Sequence, residues 1–566
     1  MIRLTEVRLP LEHPPDALDH AVQALLGIAS DEVLGVHVFK HSIDARKRSL
    51  LHVYIVDVTL RDAATEAALL ARHRANPHVL PTPDVTWRPP SLSHVDMAPR
   101  PVVVGFGPCG IFAALALAQL GLRPIVIERG TQVRQRTKDT WNLWRKGILH
   151  PESNVQFGEG GAGTFSDGKL YSQIKDPRHL GRKVMQEFVR AGAPPEILVE
   201  AHPHIGTFRL VKVLENIRAQ IIALGGEIRF EQRLIDLQLE GPPEQRRLRA
   251  IRVLDLRAQT SHELPARHVV LALGHSARDT FTMLFQRGVQ MLAKPFSVGF
   301  RVEHPQGLID RARWGRHAGH PLLGAADYKL VHHASNGRSV YSFCMCPGGT
   351  VVAATSEQHR VVTNGMSQYS RNERNANAGI VVGIDPRDYP ADAQSFDSTI
   401  GPGVDPTVPP GHSQHPLAGI VLQRLLESQA YILGGGNYMA PGQLVGDFIA
   451  GRPSRALGSV QPSYRPGVNP ADLQSALPAY AIAAIREALP EFGRRIKGFD
   501  MHDAVLTGVE TRTSSPLRIL RGDDFQSVNV AGLYPGGEGA GYAGGILSAG
   551  VDGIKIAEAL AQAIAT

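Results

Sequence analysis

The motif Gly105-x-Gly107-x-x-Gly110 constrains the fold of this chain more than any other feature of its sequence. It lies between a predicted strand, PVVV, and a predicted helix, IFAALALAQLG. In such a unit the first glycine permits a tight turn, the second lets a phosphate approach the backbone, and the third lets helix and strand pack closely. The pattern therefore predicts a strand–turn–helix with a pyrophosphate at the helix N-terminus, beside Pro108.

The next predicted strand, PIVIERG, supplies an acidic side chain, Glu128, 18 residues after Gly110. An acid at this point accepts hydrogen bonds from a ribose 2′-OH and disfavours a 2′-phosphate. The motif thus predicts an ADP-containing ligand without that phosphate, either FAD or NAD. A glycine-rich turn that binds no ligand is the alternative interpretation.

The same region could be mistaken for a membrane span, because the 22 residues from Pro101 to Leu122 carry no charge. Three glycines and Pro108 interrupt it after a few residues. A strand, a turn and a buried helix in succession explain it better.

Glycine is in excess, and the excess is localised. Usage of roughly 7% predicts about 40 glycines in this length, whereas the chain has 57. The motif above, residues 158–168 and residues 532–553, which we call the first, second and third glycine segments, together hold about as many glycines as the surplus. Exposed backbone N–H groups in such segments suit an anion or a flat ring lying against the main chain. A flexible loop at 158–168 and a glycine-packed helix at 532–553 remain the alternatives.

The motifs resemble those of the uncharacterised bacterial FAD-dependent dehydrogenases, also labelled NAD(FAD)-utilising dehydrogenases, of the glutathione-reductase-type FAD-binding superfamily. The shared motifs are GFGPCG, IERG, NVQFGEGGAGTFSDGKL, KPFSVGFRVEH, YSFCMCPGG, NGMS, VETRTSSPLRI and GLYPGGEGAGYAGGI, spanning roughly residues 101–553. The resemblance implies non-covalent FAD, a two-domain flavoprotein body and a preceding small domain. Glu538 stands where many superfamily members have Asp, which implies a contact with the ribityl chain.

The glycine segments and the resemblance together predict a set of cofactor-facing residues. They are Gly105, Gly107, Pro108, Gly110, Glu128, Arg129, Gly160, Gly161, Gly163, Thr164, Ser166, Lys169, Gly274, Gly537, Glu538, Gly541, Gly544, Gly545 and Ile546.

The predicted fold class is α/β, with a discontinuous Rossmann-like FAD/NAD(P)-binding domain. Residues 1–90 alternate as β-α-β-β-α, with VTWRP as the candidate last strand, and predict a small ferredoxin-like α+β domain. A Pro-rich linker follows at 81–101. Residues 91–293 and 501–566 form the two parts of the predicted FAD-binding domain, and residues 294–500 an inserted α+β substrate domain.

Flavin chemistry requires a redox partner and usually a proton donor or acceptor. Cys344 and Cys346 lie two apart in a predicted strand, which places both thiols on one face, at the edge of disulfide reach. Lys169 and Arg512 are cationic candidates for stabilising a reduced flavin or a substrate carboxylate. Buried strand cysteines and solvated or phosphate-paired cations are the alternatives.

The sequence gives weaker indications for the roles of two histidines and of the third cysteine. His275 and His502 could transfer protons, although in a chain with 24 histidines a structural role is commoner. Cys109 lies inside the glycine turn and is interpreted as a packing residue. No metal-ligand spacing and no serine-hydrolase motif occur in the sequence, so no metal is predicted.

The predicted function is an FAD-dependent oxidoreductase that moves hydride to or from an unknown organic small molecule. A second strand–GxGxxG–helix unit is missing from the sequence, because Met439 follows Gly434–Gly436 where a third motif glycine would stand. NAD(P)H thus remains a candidate donor that docks transiently over the flavin. An RNA-acting flavoprotein that grips RNA with residues 1–90, and a non-catalytic flavin-binding protein, are the rivals.

Charge and cysteine content limit the partners and the cellular location that the sequence predicts. Lys and Arg number 60 against 53 Asp and Glu, a net charge of +7, without basic–aromatic runs, so nucleic acid is not favoured as a partner. Three cysteines cannot build a disulfide scaffold, and no signal peptide is visible at the N-terminus. A cytoplasmic, membrane-free location is predicted, and the oligomeric state is not.

Overall fold

The computed structural model describes residues 1–45, 49–92, 99–243 and 245–565. Part of the predicted linker, residues 93–98, lies outside the described residues. The helices are α1 (Ala17–Leu26), α2 (Ala63–Arg72), α3 (Pro108–Gln119), α4 (Val133–Lys146), α5 (Leu180–Arg190), α6 (Thr207–Ala223), α7 (Arg278–Gln286), α8 (Gln306–Trp314), α9 (Ala393–Thr399), α10 (Ala418–Leu433), α11 (Val445–Ala450), α12 (Ala479–Arg495) and α13 (Ile546–Ala565).

The strands are β1 (Ile2–Pro10), β2 (Val33–Asp44), β3 (Leu51–Leu60), β4 (Val79–Pro81), β5 (Val102–Val104), β6 (Ile125–Glu128), β7 (Glu227–Phe230), β8 (Gln232–Glu240), β9 (Arg246–Asp255), β10 (Thr260–Pro265), β11 (Val269–Leu271), β12 (Met291–Ala293), β13 (Phe296–Pro305), β14 (Val331–His333), β15 (Ser339–Ala353), β16 (Thr363–Ser367), β17 (Asn375–Ile384), β18 (Ala440–Leu444), β19 (Val468–Pro470), β20 (Val505–Glu510), β21 (Leu517–Ile519), β22 (Val530–Ala531) and β23 (Leu533–Pro535).

The chain divides into two units. The N-terminal unit comprises Met1–Arg88 and Lys169–Ile205, and the main unit comprises Pro89–Gly168 and Gly206–Thr566. The segment 169–205 thus belongs to the N-terminal unit, whereas the sequence pattern placed it in the nucleotide-binding domain. Long-range backbone pairing explains the difference, because the His41 N–H donates to the Val199 carbonyl (2.6 Å) and the Ala201 N–H to the His41 carbonyl (2.8 Å).

The N-terminal unit is built on an antiparallel sheet in the order β2-β3-β1-β4. With α1 and α2 between the strands, the element order is β-α-β-β-α-β, as the sequence predicts. The closing strand is β4 (Val79–Pro81), and not VTWRP at 85–89. Apolar side chains at alternate positions of β1 and β3 pack with Val22 and Leu26 of α1 in one core.

The main unit contains a five-stranded parallel sheet in the order β23-β11-β5-β6-β7. β23 comes from the end of the chain, so both ends of the main unit contribute strands to this sheet. α3 is apolar all round and is buried from Cys109 to Ala118, which is typical of a helix enclosed on every side. Among the described residues no helix is long and apolar enough to cross a membrane.

A second, mixed sheet of the main unit has eight strands in the order β14-β15-β17-β13-β20-β18-β19, with β16 beside β15. Most of it comes from the predicted inserted domain, but β20 (Val505–Glu510) lies beyond the expected boundary at residue 500. β20 pairs with β13 and β18 through backbone hydrogen bonds, and a short VLTGVE run contains no signal for that pairing. Two smaller sheets, β10-β9-β22 with β8 and β12-β21, complete the unit.

Candidate functional site

The Gly105–Gly110 turn connects β5 to α3 and has room only for glycine at two positions. Gly105 has φ +97°, and a Cβ there would lie 2.3 Å from the Ala272 carbonyl oxygen. A Cβ on Gly110 would lie 1.9 Å from the Gly105 oxygen. The predicted close packing of strand and helix is therefore confirmed. Gly107 is the N-cap of α3, and the first-turn N–H groups of such a helix favour an anion.

Glu128 has different partners from those expected. Its Oε2 accepts the Phe106 N–H (2.8 Å), and its Oε1 accepts the N–H groups of Gly130 (2.8 Å) and Gly158 (2.9 Å). The carboxylate thus ties the Gly105–Gly110 turn to the second glycine segment. A carboxylate offers about four acceptor positions, and three of those of Glu128 are used by backbone N–H groups. One position is left for a ribose hydroxyl, so the ribose contact stays a prediction.

Arg129 is held by other side chains. Its guanidinium pairs with Glu152 (2.7 Å) and Asp279 (2.8 Å) and lies over the Phe157 ring at 4.0 Å. The predicted cofactor contact of Arg129 stays a prediction.

Arg136 is a site residue that the sequence reasoning missed. Its guanidinium is fully buried and donates to four carbonyl oxygens and to one hydroxyl of the 154–164 segment. The acceptors are the carbonyls of Asn154 (2.8 Å), Val155 (2.7 Å), Gly158 (3.3 Å) and Glu159 (2.6 Å), and Thr164 Oγ1 (3.2 Å). Burial lowers the pKa of Arg136 to about 10, which leaves it charged at neutral pH. One side chain therefore sets the shape of the second glycine segment.

A sequence signal for Arg136 does exist. It stands at helical spacing from Val133, Thr140 and Leu143, all of which are buried on the same face of α4. An arginine in an apolar stripe is a candidate for a buried structural role.

The three glycine segments converge in the main unit. A Cβ on Gly161 would lie 2.8 Å from the Cα of Gly107, so the second segment lies directly against the first. A Cβ on Gly163 would lie 2.9 Å from Ile546 Cγ1 and 3.7 Å from Pro108 Cγ. The N-termini of α3 and α13 and the 158–168 segment thus meet at one place.

Open space adjoins this meeting point. Gly544 and Gly545 precede α13, Gly274 follows β11, and all three are exposed, with no atom within 4 Å of the point that a Cβ would occupy. Gly274 has φ +67°. Gly539 joins the two sides, because a Cβ there would lie 2.4 Å from the Gly274 oxygen. Two helix N-termini around an open, side-chain-free surface fit a flat, phosphorylated cofactor.

Other predicted glycines serve packing. Gly160 and Gly537 have positive φ values (+89° and +66°), and a Cβ would collide with Thr164 and Cys109 respectively. Gly541, with φ +85°, lies against Leu517 and Arg518. The Cys109 thiol is buried against the third segment, in line with its interpretation as a packing residue.

Ser166 stabilises its own loop. Its hydroxyl donates to the Gly163 carbonyl (2.7 Å) and accepts the Gly168 N–H (3.0 Å). Lys169 belongs to the N-terminal unit, where its backbone pairs with that of His204 in an isolated antiparallel β-bridge. The cofactor contacts of Ser166 and Lys169, and the catalytic role of Lys169, remain predictions.

Glu538 lies half-buried in the turn between β23 and α13. Desolvation of its carboxyl raises its pKa to about 7, although the charge of Lys294 opposes the rise and Cys344 adds to it. Two hydrogen bonds bring Lys294 and the third glycine segment together through residues 515–516. The Lys294 N–H donates to the Pro516 carbonyl (2.8 Å), and Ser515 Oγ donates to the Gly539 carbonyl (3.0 Å). A carboxyl group that titrates near neutrality can hold or release a proton.

Replacing Glu538 by the neutral isostere should change the pH dependence of stability. Since the folded-state pKa lies above the unfolded value of about 4.3, the protonated group stabilises the fold below about pH 4, and this stability is lost as the pH rises through 7. Glu538→Gln should therefore lose less stability than wild type between about pH 5 and 8, measured by urea unfolding of FAD-free protein. Glu491→Gln, a surface control, should follow wild type; parallel pH curves for Glu538→Gln and wild type would contradict the assignment.

Cys344 and Cys346 do not share one environment, contrary to the regular alternation expected from the sequence. The pairing of β15 with β17 shifts register between Phe343 and Cys346, and Cys344 has φ +43°. Cys344 is half-buried, Cys346 is fully buried, and neither thiol is in a disulfide. The bulge aims Cys344 alone toward a partly accessible position.

Arg512 is part of a buried ion network and is not a free cation at the site. It donates twice to Glu427 (3.0 and 2.8 Å) and once each to Ser276 and Ser356. Arg278 donates to the same carboxylate from another side. The structure thus excludes the solvated alternative for Arg512, whose predicted contact with a reduced flavin or a substrate carboxylate stays a prediction.

The histidine candidates differ in setting. Desolvation and the positive charges of Arg512 and Arg278 lower the pKa of His275 to about 3. His275 is therefore neutral at physiological pH and sits beside the open space at Gly274. His502 contacts Asp503 (3.1 Å) and Asp447 (3.5 Å) at the surface, outside the three glycine segments. In the described part of the chain, no cluster of three or more His, Cys, Asp or Glu could hold a metal.

Comparison with known proteins identifies the class. Residues 295–513 match the family model "FAD-dependent protein, C-terminal domain-like", and residues 1–59 match a domain of unknown function, DUF8436. Residues 295–513 are thus similar to the C-terminal domain of an FAD-dependent protein, and FAD is the cofactor of this chain. A Clostridium beijerinckii protein named "Uncharacterized protein" is 43% identical over 567 residues, 98% of each chain. The chain belongs to the same family as this protein.

Two solved structures match this chain distantly. The 3-ketosteroid-delta4-(5alpha)-dehydrogenase of Rhodococcus jostii RHA1 is 12% identical, with a TM-score of 0.34 over 85% of this chain and 100% of that one. A geranylgeranyl bacteriochlorophyll reductase-like protein of Thermoplasma acidophilum is 11% identical, with a TM-score of 0.32 over 82% and 78%. At these scores the likeness supports no statement about this chain.

Proposed function

We propose that the protein is an FAD-dependent oxidoreductase that moves a hydride to or from an organic small molecule. The observation that carries the proposal is the open surface at Gly274, Gly544 and Gly545, between two helix N-termini and beside the half-buried acid Glu538. A bound FAD supplies the two-electron chemistry. The residues around it bind and orient it and manage protons.

The roles follow from position. The first-turn N–H groups of α3 and α13 would bind the diphosphate region, and Gly161 and Gly163 let the second glycine segment pack against Gly107 and Ile546. The adenosine end extends toward the carboxyl ends of β6 and β7, where ligands of parallel sheets bind. A polar cavity of about 670 Å³ opens there, between residues 131–139 and residues 230–231.

Glu538 is the proposed proton-handling group of the reaction. It belongs to the third glycine segment, where burial raises the pKa of its carboxyl and the charge of Lys294 opposes the rise. Cys344, half-buried on its bulge, is the better placed of the two thiols for a redox or thiolate role. Arg512 has no such role in the proposal.

Anaerobic mixing with NADH or NADPH tests the proposal, and NAD(P)H is the proposed electron donor. The purified protein should carry FAD near stoichiometry, and its visible flavin absorption should bleach within seconds of mixing. Readmitted oxygen or an added acceptor should restore the colour. A bound flavin that neither nucleotide bleaches would eliminate this donor, whereas a protein that cannot bind FAD would overturn the proposal as a whole.

A further inference from the structure

A second cavity of the main unit lies outside the glycine segments, apart from sharing Phe165. Its volume is about 240 Å³, below the usual range for drug-sized ligands, so it suits a molecule of one or two rings. Its lining includes Trp141, Trp144, Arg145, Phe165, Phe208 and Arg465.

Aromatic side chains from two helices and one loop form the walls. Trp141 and Trp144 stand three residues apart on α4, and Trp144 meets Phe165 edge to face at 5.7 Å. The Trp144 indole N–H donates to the Ala353 carbonyl (2.9 Å), which fixes that ring. Phe208 in the first turn of α6 is 50% exposed. A half-exposed phenylalanine at the mouth of an aromatic cavity leaves apolar surface for a ligand to cover.

The charges at the cavity have one sign. Arg145 lies over the Trp141 ring at 4.1 Å, and Arg465 is exposed at the rim. No Asp or Glu is among the lining residues, and neither arginine forms an ion pair within the described residues. A negative group on a ligand would therefore meet two cations and no repelling carboxylate.

We propose that this cavity binds a small planar aromatic molecule that carries a negative charge. The rings of Trp141, Trp144 and Phe208 contact the apolar faces of the ligand, and Arg145 and Arg465 pair with its anionic group. The site is separate from the cofactor surface and goes beyond the proposed oxidoreductase function. Its test requires no turnover.

Isothermal titration of FAD-loaded protein with 2-naphthoate tests the site, with 2-naphthylmethanol as the uncharged analogue. We expect saturable 1:1 binding of naphthoate that weakens about 3- to 10-fold in Phe208→Ala, because one aromatic contact is lost. Arg465→Gln should weaken naphthoate about 2- to 5-fold and leave naphthylmethanol unchanged. Both altered side chains are exposed, so the variants should fold and retain flavin.

Two surface variants serve as matched controls. Ile432→Ala removes an exposed apolar side chain and Arg494→Gln an exposed arginine, both outside the cavity, and both should bind naphthoate as wild type does. No binding at millimolar naphthoate, or equal affinity in Phe208→Ala, Arg465→Gln and wild type, would overturn the site. Equal affinity for naphthoate and naphthylmethanol would overturn its anion selectivity.

Discussion

Gly545→Leu is expected to give a folded protein that no longer holds FAD. The position immediately before α13 has no atom within 4 Å of a Cβ and no positive φ, so a leucine fits the apo fold without a clash. The side chain would occupy the open surface at which two helix N-termini meet, where we propose that FAD binds. We expect the FAD affinity to fall at least about 100-fold, equivalent to about 2.7 kcal/mol.

Two measurements check this result. Fluorescence titration of apo protein gives the FAD dissociation constant, and a thermal melt with added FAD reports linkage, because a ligand at 100 times its dissociation constant stabilises by about 2.7 kcal/mol. Wild type should gain this stabilisation and Gly545→Leu should not. Gly307→Leu is the matched control: it alters an exposed glycine in the first turn of α8, where a Cβ approaches only the flexible end of Arg311. Unchanged FAD affinity in Gly545→Leu would refute the placement of the cofactor.

The sequence predicted the features that local patterns encode. A strand, a glycine turn and an apolar helix follow one another within residues 101–122, so β5 and α3 could be placed without the rest of the chain. The packing role of Gly110 follows from the same motif, because only a glycine allows the helix to cross the strand so closely. The alternation and helical spacing of residues 1–72 likewise indicated the elements of the N-terminal sheet.

The features that the sequence did not reveal depend on contacts between distant residues. Arg136 and Gly158 are 22 positions apart, and the Glu128 carboxylate joins the N–H groups of three separate stretches of chain. No local pattern encodes either set of contacts. The regular alternation of a strand predicted that the thiols of Cys344 and Cys346 share one face. This was wrong, because a bulge adds one residue to the strand between Phe343 and Cys346. Arg512 looked like a free cation, because its partner Glu427 lies 85 residues earlier.

Glu427→Gln is expected to destabilise the main unit more than any surface change. The Glu427 carboxylate is fully buried and accepts hydrogen bonds from Arg278, Arg512 and Thr511. Removal of its charge leaves two buried guanidinium groups with one counterion fewer, and breaking a buried pair in this way costs about 3–5 kcal/mol. Urea unfolding should show a clearly lower midpoint, whereas Glu491→Gln, which alters a partly exposed partner of Arg494, should change stability by less than about 1 kcal/mol.

The same variant should respond differently to acid. Burial opposes ionisation of Glu427, but the charges of Arg278 and Arg512 outweigh it and hold the pKa of the carboxyl well below its usual range. A depressed folded-state pKa gives stability that is present above the unfolded value of about 4.3 and is lost as the pH falls below it. The stability difference between wild type and Glu427→Gln should therefore shrink from about pH 6 to about pH 3. A constant difference over that range would show that the ionised carboxylate is not what holds Arg278 and Arg512 in place.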